Sequence, residues 1–147
     1  MIRFTVWILW ALTALDISAA ESPFAKVKRV FIDPEIAGTD VELSKMVREK
    51  LIYGLMTYGN VAIAATKEQA DAILTGAAHR EKMNRMAVIN GIAAGGDYSV
   101  VTLVLRLVDR QENIIWVFNS DAAKCKAADG PSVCAAKEFD KARKKAK

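Results

Sequence analysis

The chain has 147 residues, of which 52% are hydrophobic and 26% charged, with a formal net charge of +4, two cysteines and a single histidine. It is too apolar to be disordered and too short for two ordinary domains. With one histidine and no C-x-x-C pair, the residues for a zinc cage or a histidine-based triad are scarce.

The first twenty residues have the three parts of a secretory signal: Arg3, an apolar run from Phe4 to Leu15, and a small-residue exit at Ser18-Ala19-Ala20. The run falls short of the roughly 20 residues that a spanning helix needs, and Asp16 interrupts it. Cleavage after Ala20 and a periplasmic location are therefore expected, the alternative being an inner-membrane tether. Residues 21–147 then form a single domain, large enough to fold without a metal. Its basicity is concentrated in the tail, where Lys137, Lys141, Arg143, Lys144, Lys145 and Lys147 face only Glu138 and Asp140.

Taken in order, Lys26–Asp33 alternates as a first strand and Pro34 ends it. Thr39-x-x-Glu42 matches a capping box, and a helix follows with Leu43, Met46, Val47, Leu51, Leu55 and Tyr58 on one face. Ile52, Tyr53 and Met56 widen that stripe and are read as further core; Gly59-Asn60 is the left-handed stop. Val61–Ala65 is a short second strand, and Lys67–Ala70 a turn. Gln69–His79 and Tyr98–Asp109 are the paired central strands, with Gly76 marking a bulge or a close approach of backbone.

Between them Lys82–Asp97 is a long glycine- and alanine-rich connection, either a mobile or functional loop or the ends of a long hairpin. Val88, Ile89 and Ile92 at its tip are the candidate partner-contact residues. Asp109–Asn113 is a turn into Ile114–Asn119, and a weak helical stripe of Cys134, Ala135, Phe139 and Ala142 leads into the tail. The fold class is α+β: one mixed sheet of four to five strands, with a long helix and a carboxy-terminal helix packed on it.

The segments Ala70-Asp71-Ala72-Ile73-Leu74-Thr75-Gly76 and Asp109–Trp116, in this order of elements, resemble small exported bacterial domains. These are the amino-terminal domain of TolB, the curli-export lipoprotein family and related periplasmic proteins. The resemblance spans most of Val27–Ala142 and implies a mixed α/β envelope domain that binds or assembles rather than catalyses. The chain lacks the lipidated cysteine of the curli-export proteins and the propeller of TolB, so neither transport role follows.

Cys125 and Cys134 bracket an eight-residue loop and, in an exported chain, are a candidate disulfide. No catalytic, cofactor-binding or metal-ligating residues are assigned and no cofactor is expected: His79 lies beside Arg80 and Glu81 on a strand, while Asp33, Asp71 and Asp109 sit at strand ends, where carboxylates cap turns. The basic tail lacks the interleaved aromatics of a nucleic-acid binder. The expected activity is non-enzymatic engagement of another cell-envelope protein or a membrane surface. The alternative is a small-ligand domain with Tyr53, Tyr98 and Trp116 lining a pocket between helix and sheet.

Overall fold

A computed structural model describes residues 21–89, 92–126 and 128–147; for 83–89, 92–94, 97 and 98 it describes the backbone ladder only. The leader and its cleavage point lie outside the described residues.

Five strands and two helices follow in the order β1 (Arg29–Ile32), α1 (Val41–Thr57), β2 (Ala62–Ile63), β3 (Ala72–Ile89), β4 (Ile92–Asp109), β5 (Ile114–Asn119) and α2 (Gly130–Lys145). The sheet order is β2-β1-β3-β4-β5, with β1 parallel to both of its neighbours and β3, β4 and β5 antiparallel. This is the α+β class expected, and β3 is its central strand.

Period-two alternation decides which side of the sheet is covered. Val30, Ile32, Ala72, Leu74, Leu103, Leu105, Leu107 and Phe118 are buried against the helices. Their alternates Phe31, Ile73, Thr75, Val104, Arg106 and Val117 point to the other side, which neither helix covers. Leu43, Val47, Leu51 and Leu55, one helical turn apart, are the buried ridge of α1, each worth about 1.5–3 kcal/mol on full burial. The helices cross where side chains are smallest, for a Cβ on Gly54 would lie 2.9 Å from that of Ala136.

An aromatic cluster closes one end of the core. Phe139 meets Phe24 and Trp116 edge-on at 5.1 and 5.4 Å between centroids, and Trp116 stacks on Phe118 at 6.0 Å. The lead before β1 is thus held by Phe24 rather than left loose.

Several expectations are corrected. The cap of α1 is Asp40, not Thr39: its Oδ1 accepts from the Leu43 amide at 2.9 Å, which starts the helix one residue later than the capping box implies. The left-handed residue after α1 is Asn60, with φ of 50°. Tyr53 and Met56 are exposed at 61% and 60%, and Tyr58 at 39%, because α1 has neighbours on one side only, α2 and the sheet. Strands β1 and β2 are shorter than predicted, since β1 pairs with β2 over just two residues and with β3 over three.

Of the two readings of Lys82–Asp97, the long hairpin holds over the described residues: the β3–β4 ladder continues from Ala72↔Asp109 to Ile89↔Ile92 without a register shift. The small residues Ala93, Ala94, Gly95 and Gly96 read as loop in sequence, but backbone pairing needs no large side chain.

Candidate functional site

Neighbouring strands end well before β3 and β4 do. Hydrogen bonds from Ala78 N to Ile36 O on one side and from Ser120 N to Leu103 O on the other, each 2.9 Å, are the last that flank the pair. Beyond them the eleven pairs from His79↔Thr102 to Ile89↔Ile92 form a two-stranded arm with no third strand among the described residues. At about 3.3 Å per residue the arm reaches about 35 Å from the sheet. Backbone groups along both its edges are free to pair, the condition for strand addition by another chain. Val88, Ile89 and Ile92 fall at its end by backbone register, while their side chains lie outside the described residues.

Gly76 stands at the root of this arm, where a Cβ would come 2.1 Å from the Val104 carbonyl oxygen. It therefore marks a close approach of backbone, one of the two roles expected of it, and not a bulge. The sheet's irregularity is between Leu107 and Val108, opposite Ile114–Trp116 of β5.

The second surface is the uncovered side of the sheet. Register aligns Phe31, Ile73, Val108 and Ile114 in one row across four strands. The next row is Thr75, Arg106 and Val117, and then Ala77, Val104 and Asn119. Ile114 and Val117 are exposed at 55% and 57%, and the Lys67 ammonium sits 5.9 Å over the Phe31 ring. Strand β5 is the long open edge; it carries neither charge nor proline, the usual guards of an edge strand.

The carboxylates at the strand ends are engaged in turns and main-chain contacts. Asp71 Oδ2 accepts from the amides of Lys28 and Arg29 at 3.0 and 2.8 Å. Desolvation pushes the Asp71 carboxyl up, but those amides, with the charges of Arg29 and Arg110, outweigh it and hold it below the ordinary carboxylate value. Asp109 is likewise held down: desolvation opposes, and the Asn113 side chain and the amides of Asn113 and Gln111 prevail. Asp33 caps its turn by accepting from Glu35 N at 3.0 Å. A carboxylate kept ionised in this way is a poor proton donor at neutral pH. His79 is exposed and pairs with Thr102 along the ladder, apart from any of these groups.

The described concavities are open grooves. One of 180 Å³ lies between α1 and the start of α2, bounded by Met46, Val47, Lys50, Val101, Pro131 and Val133. Another, of 420 Å³, lies along the first turns of α1 beside Arg48 and Glu49. Two more flank Asp71 at the sheet's end. Tyr53 and Trp116 share no groove: Tyr53 is exposed on α1, and Trp116 is taken up in the aromatic cluster. Tyr98's side chain lies outside the described residues. Among the described residues no three His, Cys, Asp or Glu side chains gather as a metal site, and no helix is long and apolar enough to cross a membrane.

Cys125 and Cys134 form a disulfide that ties the segment after β5 to the second turn of α2. In the chain-entropy account closing so short a loop adds about 2.5 kcal/mol, so the double Cys→Ser variant should lose about that much in denaturant unfolding. Reduction of the native protein should give the same shift; a change below about 0.5 kcal/mol in both would refute a stabilising role.

Sequence reasoning missed Arg143, which it placed in the solvated tail. The side chain is 7% exposed, and it donates to the carbonyl oxygens of Val27 at 3.1 Å and Asn60 at 3.2 Å. It joins α2 to the lead before β1 and to the turn after α1. A hint was available in its spacing, one turn beyond Phe139 on the buried stripe of α2. Comparison with known proteins found no matching family model, curated protein or solved structure.

Proposed function

We propose that the chain is an exported, non-enzymatic domain that acts by docking onto another cell-envelope protein through its β3–β4 arm. One observation carries this reading: eleven ladder pairs project beyond the sheet, and among the described residues no strand pairs with either edge. A lone two-stranded ribbon is marginal in water, and a partner strand or surface would complete it. The disulfide fits an oxidising compartment such as the periplasm, in keeping with the secretory leader. The engaged titratable groups favour binding over catalysis, and the resemblance to exported assembly domains points the same way.

The test is capture from envelope extracts by the tagged chain, compared with a variant carrying Val88→Ser, Ile89→Ser and Ile92→Ser. The native chain is expected to retain a specific partner and the variant to lose it. No core residue named above is altered, so both should melt at the same temperature. Equal capture by the two proteins, or no specific partner for either, would sink the proposal.

A further inference from the structure

We infer that the uncovered side of the sheet seats the domain on an anionic phospholipid surface. The inference rests on the envelope reading for location only, and it concerns a different surface from the arm. Phe31, Ile73, Val108 and Ile114 form an apolar row about 14 Å long, three strand spacings of about 4.8 Å. Lys67 stands over the Phe31 end, and exposed Arg106 lies in the adjoining row beside Val117. Arg29 holds the outward position at the start of β1.

Across the five-stranded part, no outward strand position among the described residues carries Asp or Glu. Three carboxylates border it: Asp33, just past β1, is engaged by the Glu35 amide, Asp71, just before β3, by the amides of Lys28 and Arg29, and Glu81 is out on the arm. The face is therefore apolar and cationic together. That charge selects against a second copy packed face to face, because Arg106 and Lys67 would meet cations in the same apolar plane.

None of the grooves described above is lined by Phe31, Ile73, Arg106, Val108, Ile114 or Val117. A plane of apolar side chains among cations matches the boundary of an anionic leaflet. Ile114 and Val117 would enter the edge of the acyl region while Arg106 and Lys67 meet phosphates.

The full chain is mixed with vesicles of phosphatidylcholine, either pure or containing phosphatidylglycerol, and sedimented at low and high salt. Binding should favour the anionic vesicles by about tenfold or more and weaken with salt. Ile114→Asp with Val117→Asp should lower it at least about tenfold, and so, separately, should Arg106→Glu, while each variant keeps the native melting temperature. A variant with Lys141, Lys144, Lys145 and Lys147 changed to Gln should lose less than either. The leader is common to all of them, so the differences report on the face.

The inference is overturned by equal binding to both lipids, by no binding, or by binding that survives the face variants and falls only with the tail variant. It is overturned equally if an acidic amphipathic peptide, and not the vesicles, binds in a manner sensitive to Arg106→Glu. None of these results bears on capture through the arm, so the two readings fail separately.

Discussion

Replacing Arg143 by alanine is expected to lower the free energy of unfolding by about 3 kcal/mol, although the residue sits in a lysine-rich tail. The guanidinium is buried, and among the described residues it has no carboxylate partner; its stabilising contacts are two main-chain carbonyls. Removing it leaves the Val27 oxygen without its donor at a buried point, a loss of about 1–3 kcal/mol, and frees the Asn60 oxygen, which is only part-buried, at a smaller cost. Packing over the Phe139 ring, 5.9 Å from centroid to guanidinium carbon, is lost as well. Arg143→Lys should recover only a minor part, since a single ammonium does not reproduce a fork spanning two carbonyls. Denaturant unfolding of both variants is the measurement. If the alanine variant lost less than about 1 kcal/mol, the clamp would carry no weight. Neutralising Lys145 or Lys147 nearby should change almost nothing, as exposed charges are worth little.

The second large effect is expected at Gly76. Alanine there would set a Cβ 2.1 Å from the Val104 oxygen and 3.0–3.1 Å from Leu105 atoms, and a backbone atom cannot yield as a flexible side chain does. The β3–β4 ladder must shift at the root of the arm, with an expected cost of about 3 kcal/mol. Hydrogen exchange would localise the damage: amides of Ala77–Lys82 and Ser99–Val104 should lose protection, while those of α1 keep theirs apart from the global change. Native stability and unchanged exchange would show that the ladder accommodates the methyl group without strain.

Legibility varied with how local the cause was. The inward residues Leu103, Leu105 and Leu107 and the outward Val104 and Arg106 followed from alternation, because a strand's side chains take sides irrespective of what covers them. The start of α1 was misplaced by one residue because Thr39 and Asp40 are both good caps and only the folded turn shows which oxygen reaches Leu43. Tyr53 and Met56 were read as core since they are apolar and near the stripe, and their exposure depended on how many neighbours α1 has. The candidate surfaces were visible only in part. An apolar hairpin end was evident in sequence, but its reach of eleven free pairs depends on where β1 and β5 stop pairing.

Local chemistry by itself therefore determined the main elements, the α+β class, the central strand and the pairing of Cys125 with Cys134, whose loop is short enough to close. Tertiary structure decided the rest: one side of the sheet covered and the other bare, Arg143 buried, Trp116 inside an aromatic cluster, and the choice of a long hairpin over a loop. The physical reason is separation along the chain. Arg143 reaches Val27 across 116 positions and Asn60 across 83, and no local pattern encodes which distant carbonyl will need a donor.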